Sequence, residues 1–91
     1  MASTHDYAID SRNDNIQIYI DGQFFPRADA KVSVMDSGYL LGDGVWEGIR
    51  LYNNHLIHLE KHLERLYEGA EAIQMDIGVS KSEMKSALEK T

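Results

Sequence analysis

The sequence predicts a small α+β domain of two layers, an antiparallel sheet of hairpins packed against two helices. Two observations carry this. Apolar residues alternate singly up to about residue 58 and then recur every three to four positions. Asp21-Gly22 and Asn53-Asn54, both dipeptides suited to positive φ, separate pairs of alternating segments. With 91 residues, the chain has room for a single modest core.

The elements follow in order. Residues 1–15 form a polar tail without the basic start and apolar run of a signal peptide. "IQIYI" sets Ile16, Ile18 and Ile20 against Gln17 and Tyr19, which predicts a half-buried strand. "QFFP" returns after the turn, and Pro26 should end it, because proline cannot donate to a ladder. "KVSV" reads as a third short strand with Val32 and Val34 on one face. The stretch "SGYLLGDGVWEGIR" holds four of the seven glycines, and Gly38, Gly42 and Gly44 predict a tight loop leading into a strand at Val45–Tyr52. "HLIH" is the return strand. Leu59, Leu63, Leu66, Ala70 and Ile73 then form one helical stripe, opposite Glu60, Lys61, Glu64 and Glu68. In a second helix, Ser80 and Glu83 match a capping box, with Val79 and Met84 at staple positions. No stop signal closes this helix before Thr91, so residues 16–91 are expected to be the first domain of a longer protein.

Composition excludes several functions. A net charge of −6 argues against nucleic acid or an anionic membrane as partner. The absence of cysteine removes disulfides, thiolate zinc sites and cysteine nucleophiles, and a reducing cytoplasm is the expected compartment. No apolar run is long enough to span a bilayer. The glycines match neither a dinucleotide fingerprint nor a phosphate-binding P-loop. His55, His58 and His62 lie close together, but their spacing is not that of the helical zinc proteases, and no metal is expected.

On a strand from Val45 to Tyr52, Val45, Glu47, Ile49 and Leu51 share one face, and Trp46, Gly48, Arg50 and Tyr52 share the other. An indole, a gap and a guanidinium suit a pocket wall for an anionic ligand. They equally suit an outer face with Trp46 under a helix and Arg50 reaching water. Glu47, on the apolar face, needs hydrogen-bond partners, with backbone N–H groups the usual ones and a catalytic role the alternative. Arg65 reads either as a solvated partner of Glu68 or as an anion clamp on a rigid helix. None of the five lysines sits in an apolar setting that would lower its pKa for Schiff-base chemistry.

The segment "IYIDGQFFPRADAKVSVMDSGYLLGDGVWEGIRLYNNHLIHLEKHLERLYEGAEAI" resembles the N-terminal part of the fold-type IV, pyridoxal-phosphate-dependent aminotransferases. These include the branched-chain and D-amino-acid aminotransferases and the aminodeoxychorismate lyases. Its most specific parts are "GDGVWEGIR" and "HLERL". The resemblance implies that Arg65 binds the phosphate of pyridoxal 5'-phosphate. It implies that Trp46, Gly48 and Arg50 line the substrate pocket, and that Leu41 reaches a substrate across the interface of a homodimer. An amino acid and a 2-oxo acid are the implied substrates, with a lyase reaction as the alternative on the same scaffold. A binding or assembly module without catalysis is the reading from a different class. Leu41 and Trp46 stand where branched-chain enzymes usually have tyrosine and phenylalanine. "SGYLLGDGV" is nearer the D-amino-acid branch and "EGIR" nearer the branched-chain branch, so neither substrate nor stereochemistry is assigned. In the family the lysine that binds the cofactor lies beyond this segment, so the 91 residues alone are expected to be inactive.

Overall fold

The computed structural model describes residues 11–91; the first ten residues of the expected polar tail lie outside the described residues. The described residues fall into two compact units, 11–31 with Thr91 and 32–90.

The first unit is built on a hairpin. β1 (Gln17–Ile20) pairs antiparallel with β2 (Gln23–Pro26), and Asp21 and Gly22 both adopt positive φ between them. The pleat puts Ile18 opposite Phe25 and Tyr19 opposite Phe24. The Tyr19 and Phe24 rings meet edge to face at 5.2 Å, a favoured aromatic geometry. Pro26 ends the ladder, as expected. Turns of 3-10 helix at Ser11–Asn13 and Arg27–Asp29 flank the hairpin.

The second unit carries the helices. The expected strand at "KVSV" is absent: among the described residues no strand pairs with it. Instead the Ser33 hydroxyl accepts from the Met35 N–H at 3.0 Å, and the Ser33 carbonyl accepts from the Asp36 N–H at 3.1 Å. These local bonds offer the backbone a turn in place of a ladder.

The glycine-rich stretch is also more ordered than a loop. Ser37–Leu41 forms a short helix, α1. The Asp36 carboxylate caps it by accepting from the Gly38 N–H at 2.8 Å. Gly42 ends it at φ +72°, a left-handed conformation that favours glycine.

Residues 45–50 keep the alternation of an extended segment. Val45, Glu47 and Ile49 are half-buried, whereas Trp46, Gly48 and Arg50 are exposed. The segment lacks a ladder over most of its length. Pairing is confined to β3 (Leu51–Tyr52) and β4 (His55–Leu56), extended by one bond from the Ile57 N–H to the Arg50 carbonyl. Asn53 and Asn54 make the turn at positive φ. Among the described residues the strands therefore form two separate two-stranded hairpins rather than one continuous sheet.

α2 (Leu59–Ala72) supplies the core: Leu59, Leu63 and Ala70 are the buried apolar residues among those described. They lie on the stripe read from the sequence. Burying one leucine contributes about 1.5–3 kcal/mol. Gly69, on the same helix, lets the extended segment approach. A Cβ there would stand 3.3 Å from a methyl of Val45, tighter than an easy fit. The helix ends in a Schellman motif, with Gln74 at φ +58°, the Gln74 N–H bonded to the Glu71 carbonyl, and the Met75 N–H bonded to the Ala70 carbonyl.

α3 (Lys81–Lys90) opens with the expected capping box. The Ser80 hydroxyl accepts from the Glu83 N–H at 3.1 Å, and Glu83 accepts from the Ser80 N–H at 3.3 Å. The Tyr67 hydroxyl donates to the Val79 carbonyl at 2.6 Å, tying α2 to the turn before α3. Burial, reinforced by the nearby Glu83 charge, pushes the Tyr67 phenol above its ordinary pKa. A Lys85–Glu60 pair at 3.2 Å spans the two helices, exposed enough to add little stability.

Candidate functional site

The extended segment at 45–50 and the first half of α2 form the only place among the described residues where three ionisable side chains hydrogen-bond together. Alternation turns Glu47 toward α2. His62 and Arg65, three positions apart on that helix, face it from one side. The Glu47 carboxylate accepts from His62 Nδ1 at 2.6 Å. It accepts from Arg65 Nη2 at 2.7 Å, and from Arg65 Nε at 3.0 Å to each carboxylate oxygen.

This arrangement settles what Glu47 bonds to. Its partners are side chains rather than backbone N–H groups. Only 13% of the Glu47 side chain is exposed, so its charge needs compensation, and two donors provide it. The hydrogen bonds from Arg65, then from His62, hold its carboxyl below the usual carboxylate range. The same contact raises Arg65 above its ordinary value. The alternative pairing of Arg65 with Glu68 is not what forms.

Arg65 remains available despite this contact. Its side chain is 70% exposed. Nη1 has no hydrogen-bond partner among the described residues. Arg65, with His58, Lys61 and His62, lines a cavity of about 290 Å³. Every lining residue carries nitrogen donors, and none carries a carboxylate. That donor set suits a phosphate or carboxylate group.

The other sequence-derived positions lie apart from this cluster. Trp46 is 84% exposed, and one of its ring carbons lies 3.6 Å from where a Cβ of residue 48 would stand. The indole thus borders the space that Gly48 leaves open. Arg50, on the same face, packs its guanidinium over the Tyr52 ring at 5.1 Å, a cation–π contact. Leu41 ends α1 and is 74% exposed. No hydrogen bond or ring contact joins Arg65 to Trp46, Gly48 or Arg50 among the described residues. Nor do three or more His, Asp or Glu side chains among them gather as a metal site.

The partnership of Glu47 with His62 was missed by reading each element alone. The signal was present nonetheless. An acid on the inward side of an extended segment needs donors, and the following helix offers two nitrogen side chains at i and i+3.

A sequence model of the class IV aminotransferases matches residues 44–91, which contain the whole Glu47–His62–Arg65 cluster. The chain is 48% identical over 69 residues to a Methanocaldococcus jannaschii protein provisionally named a branched-chain-amino-acid aminotransferase, covering 76% of this chain and 24% of that protein. It is 40% identical over 73 residues to a D-alanine aminotransferase of Bacillus licheniformis, covering 80% of this chain and 26% of that one. It is also 39% identical over 79 residues to branched-chain-amino-acid aminotransferase-like protein 1 of Arabidopsis thaliana, covering 87% of this chain and 14% of that one. The chain belongs to the class IV aminotransferase family. It spans about a quarter or less of the length of these relatives.

Proposed function

We propose that this segment is the cofactor-phosphate and substrate side of a pyridoxal-phosphate-dependent aminotransferase. The reaction passes an amino group between an amino acid and a 2-oxo acid. The observation that carries the reading is the cavity lined by His58, Lys61, His62 and Arg65, with a guanidinium anchored on one edge and open on the other. These residues fit the cofactor's phosphate, and Arg65 is the residue to hold it. When bound, the cofactor supplies an electron sink for the α-carbon of the amino acid. Trp46 and Gly48 shape the substrate side, and Arg50 offers a cation to a substrate carboxylate.

All five lysines are exposed. A lysine that binds the cofactor covalently is activated by desolvation or by a neighbouring cation. The exposure of all five supports the reading that residues 1–91 do not transaminate by themselves. The exposed apolar residues Met35, Tyr39, Leu40, Leu41 and Trp46 support a face covered by the rest of the enzyme or by a second subunit, with Leu41 reaching the partner's substrate in a homodimer. A cysteine-free segment accords with a cytoplasmic enzyme, and among the described residues no helix is long and apolar enough to cross a membrane.

The test uses the full-length protein carrying this segment. Arg65→Ala is expected to weaken pyridoxal phosphate binding at least about tenfold in a fluorescence titration, the scale of a lost charge-assisted hydrogen bond. Unchanged affinity would remove Arg65 from the site. Stoichiometric transfer of an amino group from an amino acid to the bound cofactor, without a 2-oxo acid present, is expected of an aminotransferase. Its failure, with elimination products instead, would favour a lyase.

A further inference from the structure

The reading above needs only the open edge of Arg65 and leaves Glu47 without a role. Resting on that reading, we propose that Glu47 is a positioning residue for the anion site, holding the Nε–Nη2 edge of Arg65 and fixing the hydrogen of His62 on Nδ1. Arg65 then keeps its Nη1 donors for the anion, while Nε2 of His62 donates only when the ring carries both protons.

A guanidinium presents five N–H donors in a rigid plane, on a long side chain with several rotatable bonds. On the exposed surface of α2 it would sample many rotamers. Glu47 grips it along one edge through both carboxylate oxygens. The plane is thereby fixed, and Nη1 is left on the opposite side. Immobilising the side chain beforehand lowers the ordering cost of binding an anion.

His62 is constrained by the same oxygen. Arg65 and His62 together keep Glu47 ionised, so the carboxylate can only accept. Nδ1 must therefore donate in the 2.6 Å bond. This leaves Nε2 as the ring's remaining polar atom, on a side chain that also lines the cavity. Glu47 sits on the extended segment and not on α2. The position of that segment against the helix therefore sets the geometry of the anion donors.

A simple charge argument gives the opposite sign. A carboxylate beside an anion site repels the anion, so removing its charge should tighten binding. The two effects separate experimentally. In the full-length protein, Glu47→Gln is expected to raise the Kd for pyridoxal phosphate about tenfold, and Glu47→Asp, which keeps the charge but shortens the reach, to raise it as well. In an Arg65→Ala background, Glu47→Gln should change the Kd by less than about twofold, because a positioning residue acts through its partner. The ring nitrogen shifts of His62 should lose the Nδ1–H pattern in Glu47→Gln. Unchanged or tighter binding by Glu47→Gln, or equal weakening in both backgrounds, would overturn the positioning role alone. An Arg65→Ala Kd equal to wild type would overturn the functional reading as well.

Discussion

The two faces of residues 45–50 differ: Val45, Glu47 and Ile49 are half-buried, and Trp46, Gly48 and Arg50 are exposed. Both faces come from one extended segment, and neighbouring residues belong to opposite ones. The inward face is satisfied within the chain. Val45 meets the surface of α2 at Gly69, and Glu47 is bonded by two donors from that helix. Among the described residues the outward face has no such partners: Trp46 is 84% exposed, and the described contact of Arg50 is with Tyr52 two residues away. A face that folding has already satisfied holds the segment in place. A face that folding leaves open is free to meet a ligand or another part of the enzyme. The inward side holds the segment in position, and the outward side is the one proposed above to meet substrate.

The contrast can be broken from the inward side first. Gly69→Val would force a branched side chain into a space where a Cβ alone stands 3.3 Å from Val45. Overpacking of this kind costs about 1–3 kcal/mol, and denaturant unfolding should show it. The same substitution should shift Glu47 off α2 and lower cofactor affinity, coupling two effects that a surface change would not.

A smaller effect is expected on acidification. The carboxyl of Glu47 is held below its ordinary value of 4.5 by Arg65 and His62. Its contribution to stability is therefore fully present above the unfolded-state value and is lost as pH falls through the lower, folded value. Unfolding measured between about pH 6 and about pH 3 should show a decline that is shallower in Glu47→Gln. Parallel curves would mean the ionised carboxylate adds no stability.

The smallest stability effect belongs to the outward face. Trp46→Ala should change unfolding free energy by no more than about 0.5 kcal/mol, as for an exposed residue. In the full-length protein it should alter KM for the amino acid. A large loss of stability would show that Trp46 is packed in the assembled enzyme rather than open to substrate.

Much of this was readable beforehand. The turns at Asp21-Gly22 and Asn53-Asn54 formed at positive φ, and the capping box at Ser80 and Glu83 closed as its spacing required. These features rest on bonds between residues close in sequence. The α1 helix was missed although its local signals were complete, with an aspartate to cap it and a left-handed glycine to end it. Gly38, Gly42 and Gly44 together suggested a tight loop, but only Gly42 takes a positive φ, and Gly38 lies within the helix. "KVSV" failed for the opposite reason. Its alternation was sound, but a strand also needs a partner, and periodicity does not supply one.

The sequence by itself determined that residues 45–50 would have two unlike faces, because side chains of an extended chain must alternate. It also determined the apolar stripe of α2 (Leu59, Leu63, Leu66, Ala70 and Ile73), of which packing buried Leu59, Leu63 and Ala70 and left Ile73 exposed. Only the tertiary structure decided which donors Glu47 would find and which edge of Arg65 would stay open. Those residues lie 15 and 18 positions apart. Their meeting depends on how closely the segment approaches the helix, and that distance is a property of packing rather than of local sequence.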